Sequence, residues 1–245
     1  MIQPVITLDV DWASDFVVEP IIDVFIKNQV KSTWFITHKT PVLNKALRKN
    51  KKLFELGIHP NFMKNSTQGV TEEEVMSYCK DVVPEAVSVR THGLIQSSNL
   101  LTTFAQNYSM KIDSSIFLPY ARFLEPVAVR NRNSSIYRFP YYFGDHYHLT
   151  SGNSTFELYD LSGVTSPGLK IFTFHPIHLY LNTGNIAQYE NAKKDAGDEH
   201  RLNAYRNQRK GVFTLFMDII RYIIENKVQT KTLYDIYQEV TEEDE

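Results

Sequence analysis

Short apolar runs alternate with segments of helical period through the first half of this chain, and no other feature constrains its fold as strongly. Val5–Asp9, Ser32–Thr37, Leu53–His59, Val87–Arg90 and Lys111–Asp113 read as strands. Between the first two, Phe16–Asn28 carries Phe16, Val17, Ile21, Val24 and Phe25 at helical spacing. Pro41–Asn50 has proline early and basic residues late, as a helix does. A capping box, Thr71-Glu72-Glu73-Glu74, opens a helix to about Val83 that Pro84 closes, and Ser97/Ser98 cap another reaching Asn107. Such repeats predict parallel strands joined by crossover helices. Further on, Ile136–Phe139 and Leu169–Phe174 are strand candidates, Thr155–Tyr159 is a shorter one, and Gly211–Lys227 is an amphipathic helix. Asn182–Lys210 reads as a mobile polar loop with a short helix around Gln188–Lys194, and Glu242–Glu245 as a frayed end.

In a parallel barrel, chemistry gathers at the C-terminal ends of the strands. Asp9/Asp11, His59, Arg90/His92, Asp113 and His175 all stand at such ends. Asp9 and Asp11 lie two apart, so on a regular strand they share a face. Two bare carboxylates there repel, and burial raises one pKa. A cation ligated by one of them removes that penalty and leaves the other free as a general base. For this pair alone, an Asp-x-Asp loop held by N-caps fits as well.

The other functional classes fall to composition. At 245 residues the chain suits one domain, 1–245, with a core large enough to need no staple. A net charge of −2 with mixed signs argues against nucleic acid or a membrane surface as partner. The single cysteine, Cys79, falls in a helical pattern and reads as a packed thiol. With no signal-like N-terminus and no apolar run long enough to span a bilayer, the expected location is cytoplasmic. Oligomeric state is not legible.

Thr7-Leu8-Asp9-Val10-Asp11-Trp12 resembles the first motif of the polysaccharide deacetylases (carbohydrate esterase family 4, the NodB-homology domain). Leu56-Gly57-Ile58-His59 resembles the second, Val89-Arg90 the start of the third, and Phe172-Thr173-Phe174-His175-Pro176 the last. Gly57-Ile58-His59-Pro60-Asn61-Phe62, Arg90-Thr91-His92 and His175-Pro176-Ile177-His178 are similar to a WbmS-like subgroup found with surface-polysaccharide biosynthesis. The resemblance covers nearly the whole chain in order. It implies a single deformed (β/α) barrel of about seven parallel strands, and metal-dependent removal of an N-acetyl or other acyl group from a sugar or oligosaccharide. It further implies Asp9 as base, Asp11 and His59 as ligands of a divalent metal (zinc first; cobalt, nickel or manganese as alternatives), Arg90 as partner of Asp9, and His175 as general acid.

The chain departs from the family where a second histidine is usual four residues after the first: here stands Met63. A thioether is a poor ligand for such a cation. His92, beside Arg90 at an adjacent strand end, is the best substitute; Asn61 and Gln68 offer only neutral amide carbonyls. Asp113 is a candidate to orient His175 or to bind a sugar hydroxyl. His178 stands between substrate contact and structural hydrogen bonding. Trp12, Tyr141 and Tyr142 are candidate stacking faces for a sugar, with core packing the plainer reading. His146 and His148 read as an exposed pair; His38 and His200 receive no role. Two rival functions remain: a silent carbohydrate-binding barrel, and a two-metal phosphoesterase using His92 and His178.

Overall fold

All the strands expected in the first half form, and the computed structural model, which describes residues 2–131 and 134–242, aligns them in one sheet. β1 (Pro4–Asp9) leads through α1 (Asp15–Asn28) to β2 (Ser32–Ile36), and an irregular helical stretch over 41–50 leads to β3 (Phe54–Ile58). α2 (Glu72–Val82), β4 (Ser88–Val89), α3 (Ser98–Asn107) and β5 (Ile112–Asp113) complete the alternation. Next come β6 (Val127–Asn131), β7 (Ser134–Arg138), β8 (Phe143–Gly144), α4 (Asp145–Thr150) and β9 (Lys170–Phe174). Five helices end the chain: α5 (Pro176–Leu181), α6 (Ile186–Ala192), α7 (Glu199–Asn203), α8 (Val212–Glu225) and α9 (Leu233–Glu242).

The strand order is β6-β7-β5-β4-β3-β2-β1-β9-β8, parallel throughout except for the β6/β7 pair. β7 and β8 belong to one run of chain, 134–144. Its first part pairs with β5 and its last with β9. Between them Tyr141 N donates to Ile116 O and Tyr142 N to Ile171 O, both at 2.9 Å. That run crosses the open side of the sheet and closes a deformed barrel.

Alternation along the strands sorts side chains into two layers. Ile6, Leu8, Trp34, Ile36, Leu56, Ile58, Phe172 and Phe174 point outward and pack under the helices. The α8 residues Leu215, Phe216, Ile219, Ile220 and Ile223 bury one face against them, each worth about 1.5–3 kcal/mol on full burial. Val5, Phe35, Ile112 and Ile171 fill the interior, and Leu233 of α9 seals its floor. Glu55 also belongs to that floor: it accepts from Thr33 Oγ1 at 2.8 Å, from Tyr234 N at 2.9 Å and from the Ser88 hydroxyl. Midway up, a Cβ on Gly57 would come within 2.8 Å of the Phe35 ring and of Ser88 O, so only glycine lets these strands approach. Thr7 and Thr173 share a hydrogen bond of 2.9 Å on the interior side, beneath the functional rim.

Several expectations are corrected. Residues 155–159 form no strand: they run extended into a turn at Leu158–Asp160, and Leu158 N finds Asp218 Oδ2 of α8 instead of a neighbouring strand. The expected short helix around 188–194 forms as α6 and a 3₁₀ turn, Lys193–Asp195, but the segment 182–210 also holds α7 where only loop was expected. Asp11 does not continue the β1 strand face: the strand stops at Asp9, and Asp11 (φ 46°) and Trp12 (φ 57°) form a left-handed turn. Of the expected frayed end, Glu242 terminates α9, and 243–245 lie outside the described residues. Strands β6 and β8 and helix α9 carried no sequence expectation. No helix of the described residues is long and apolar enough to cross a membrane.

Candidate active site

Over the C-terminal rim lies a cavity of about 730 Å³ bordered by Asp9, Asp11, Trp12, His59, His92 and His175. It is built from two hydrogen-bonded pairs and a histidine–aspartate cluster.

The first pair sits on β1 and just after β4. Arg90 is 0 % exposed, and its guanidinium donates to Asp9 Oδ1 at 2.8 Å, Thr7 Oγ1 at 2.9 Å, Ser114 O at 2.9 Å and Ser114 Oγ at 2.8 Å. Its Cζ lies 4.4 Å from the centre of the Phe35 ring and 4.6 Å from that of Tyr141. A buried charge so fully paired and sandwiched is fixed in place. One Asp9 oxygen is thereby committed, while the side chain still borders the cavity.

The central cluster joins three strand ends. Asp11 Oδ1 stands 3.1 Å from His59 Nε2 and 3.0 Å from His92 Nδ1, and those nitrogens are 3.4 Å apart. Ligands of one tetrahedral cation bonded at about 2.0–2.1 Å stand roughly 3.3 Å from one another, so this trio fits a divalent metal. Burial by itself would raise the Asp11 pKa, but hydrogen bonds from His59 and His92 outweigh it and hold the carboxyl well below its usual range. The hydrogen bond to Asp11 in turn raises the His92 pKa. Trp12 N bonds Thr37 Oγ1 at 3.0 Å, which pins the strained turn that delivers Asp11. His59 Nδ1 is buried without a hydrogen-bond partner, and nothing in the structure explains it.

Met63 borders the cavity at 50 % exposure, and His92 occupies the third corner of the trio. Neither amide carbonyl considered as a substitute is available. Gln68 Oε1 accepts from Asn61 N at 2.6 Å, while its Nε2 donates to Thr37 O at 3.0 Å and His59 O at 3.1 Å. Asn61 Oδ1 accepts from Met63 N at 2.9 Å. Gln68 therefore braces the loop behind His59 and does not face the site.

The second pair joins the start of α4 to the end of β9. Buried Asp145 accepts from His175 Nδ1 at 2.6 Å, His175 N at 2.7 Å and His146 N at 2.7 Å. His175 Nε2 lies 3.4 Å from Asp11 Oδ2. Burial pushes the His175 pKa down, but the charge and hydrogen bond of Asp145, with Asp11 and Asp9 beyond, raise it to about 10. Asp145, His175 and His178 also form a possible metal trio. A contact of 2.6 Å, however, suits a hydrogen bond carrying a proton and is too short for two ligands of one cation.

Other expectations change in the folded chain. Asp113 stays out of the cavity, because Ile112 takes the inward position on the short β5 and turns Asp113 toward Arg138, whose Nε lies 2.8 Å away. Tyr142 is core, its hydroxyl donating to Ser162 O at 2.6 Å. Tyr141 borders the cavity but has no free face: Arg90 lies over the ring, Phe117 stacks on it at 4.5 Å, and 6 % of the residue is exposed. Trp12 borders the cavity with its ring edge-on to His92 at 5.3 Å. His178 is buried between Thr183 Oγ1 at 3.2 Å and His146 Nδ1 at 3.3 Å; burial pushes its pKa down to about 3, so it stays neutral. Of the expected exposed pair, His146 is exposed and borders the cavity, while His148 is buried beside Tyr120. Sequence reasoning missed Asp145, whose only local sign is an acid at the head of a helix, and Tyr189 and Lys193, which wall the cavity from the 182–210 segment.

The family model described as WbmS-like polysaccharide deacetylase matches residues 6–193. A crystal structure from Bordetella bronchiseptica, assigned as a polysaccharide deacetylase involved in O-antigen biosynthesis, is 30% identical with a TM-score of 0.80, covering 89% of this chain and 90% of that one. A family 4 carbohydrate esterase from Bacillus anthracis is 14% identical with a TM-score of 0.46, covering 96% of this chain and 82% of that one. No curated protein sequence matches.

Proposed function

Because the chain belongs to the WbmS-like polysaccharide deacetylase family, we propose that it hydrolyses an N-acetyl, or less favourably another acyl, group on a sugar destined for a surface polysaccharide. The observation that carries this reading is the pair of dyads, Arg90–Asp9 and Asp145–His175, whose Asp9 and His175 border one cavity with Asp11. One dyad suits a base paired with a fixed cation, the other an acid held protonated, as amide hydrolysis requires.

Asp11, His59 and His92 would hold a divalent cation, zinc first among the choices, and bound there it would acidify water and polarise the acyl carbonyl. Asp9 takes a proton from water as the water oxygen bonds to the acyl carbon. Arg90 keeps Asp9 aimed through their 2.8 Å ion pair. His175 then gives its Nε2 proton to the sugar nitrogen as the C–N bond breaks, leaving a carboxylic acid and a free amine. Asp145 holds the ring and offsets its charge until that transfer. The Bordetella relative's assignment to O-antigen biosynthesis favours a nucleotide-linked, lipid-linked or oligomeric sugar in the same kind of pathway.

The test is hydrolysis of N-acetylated amino-sugar oligomers and nucleotide-linked N-acetyl sugars by chelator-stripped protein, resupplied with zinc, cobalt, nickel or manganese. Stoichiometric acetate and free amine, restored by one metal per chain, are expected. Absence of acetate across the panel overturns the reading in favour of a binding barrel, and two metals per chain would favour a phosphoesterase.

A further inference from the structure

We propose that the phenolic hydroxyl of Tyr141 is a catalytic group of this site, donating a hydrogen bond to the acyl oxygen of the substrate as charge develops on it. The inference rests on the deacetylase reading and adds a residue to it.

Phe35, the Arg90 guanidinium, Tyr141 and Phe117 form one stack, with separations of 4.4 Å, 4.6 Å and 4.5 Å. The Phe117 and Tyr141 planes are within 13° of parallel. One ring edge is closed as well, since a Cβ on Gly144 would come within 3.3 Å of Tyr141 Cε2. The backbone is tied on both sides, N to Ile116 O at 2.9 Å and O to Leu118 N at 3.1 Å. A sugar therefore has no ring face to stack on.

The hydroxyl is the exception. It makes no hydrogen bond within the described residues and is not among the buried polar atoms left unpaired, so the 6 % of Tyr141 still exposed includes its polar tip. Tyr141 belongs to the wall of the same cavity as Asp9 and His175. The ring lies against Arg90, the partner of Asp9, and its edge against Gly144, the neighbour of Asp145, and the charges of both aspartates act on the phenol. Burial also pushes the phenol pKa up, so the group keeps its proton and is a donor at every working pH.

A fixed neutral donor on a ring packed between Arg90 and the Gly144 edge suits the place where the acyl oxygen develops charge. Water adds from the Asp9 side and the amine leaves toward His175, so the acyl oxygen, the remaining heteroatom of the tetrahedral centre, needs its own donors. A preorganised hydroxyl supplies one without reorganisation, because the stack already holds the ring. The Arg90 layer gives it a second job: one stack fixes both the base and the donor relative to each other.

Tyr141→Phe keeps every stacking contact and deletes one oxygen. On an N-acetyl sugar that the wild-type protein hydrolyses, kcat should fall about 10²–10³-fold, as for loss of one oxyanion donor. KM, bound metal per chain and melting temperature should stay near wild type. Affinity for a phosphonate mimic of the tetrahedral centre should fall by a similar factor, and affinity for the amine product should not. Unchanged kcat, or a loss confined to KM, would overturn the proposal and leave Tyr141 as a wall or sugar contact. A wild-type protein inactive on the whole panel would instead overturn the deacetylase reading itself.

Discussion

Asp145 holds His175 at two points, the ring Nδ1 at 2.6 Å and the backbone N at 2.7 Å, across 30 positions of chain. One carboxylate thus fixes the ring, its tautomer and the strand end that carries it.

Replacing Asp145 by Asn should lower kcat by up to about 10²–10⁴-fold, the usual range for general acid work, and leave metal content unchanged. The variant also tests linkage in metal-free protein. His175 has a folded pKa raised to about 10, above its ordinary value near 6.5. Its contribution is therefore fully present below the unfolded pKa and lost as pH rises through about 10. The stability gap between wild type and Asp145→Asn should be widest near pH 6, shrink as pH rises from about 6.5 and be gone above about pH 10 in urea titrations.

His175→Ala should reduce turnover of an N-acetyl substrate about 10²–10⁴-fold and an activated ester far less, since a good leaving group needs little protonation. Equal losses on both substrates, or a loss of bound metal, would remove His175 from the acid role.

Asp11→Ala, His59→Ala and His92→Ala should each abolish tight metal binding, while Asp9→Asn keeps the metal and loses turnover. Equilibrium dialysis with zinc or cobalt decides this. Metal retained by His92→Ala would show that the trio read from its 3.0–3.4 Å spacings is not the ligand set.

Gln68→His should not tighten metal binding. The amide spans Thr37 O, His59 O and Asn61 N behind the site, and its loss should destabilise the fold by about 1–3 kcal/mol. Chemical denaturation beside dialysis reads both effects; tighter metal binding would mean the side chain reaches the cavity.

Glu55→Gln should be neutral or stabilising at pH 7. Burial raises the Glu55 pKa in spite of its hydrogen bonds from Ser88, Tyr234 N and Thr33. A raised carboxyl favours the fold below its unfolded pKa, and that contribution is lost as pH rises through the folded value. The advantage of Gln should therefore disappear as pH falls toward 4.5 and below, in melting temperatures measured across that range. A large destabilisation at pH 7 would mean that the charge itself, capping α9, holds the floor together.

Local alternation was enough to reveal the alternating half of the fold and the residues at strand ends. Val5, Thr7 and Asp9 share an inward parity that any apolar strand displays, and Gly57 followed by His59 shows the same on β3. Those signals are local because strand period and helix capping act over a few residues. Where a strand was too short to display its parity, the reading slipped: β5 is two residues long, and Asp113 proved to face Arg138. The pairing of Asp145 with His175, the place of His92 beside Asp11 across 81 positions, and the stack that leaves Tyr141 only its hydroxyl are tertiary facts. So are the run 134–144 that closes the barrel and the 182–210 segment that walls the cavity. No local propensity encodes such contacts, because they depend on which side chains the closed barrel brings within hydrogen-bond reach.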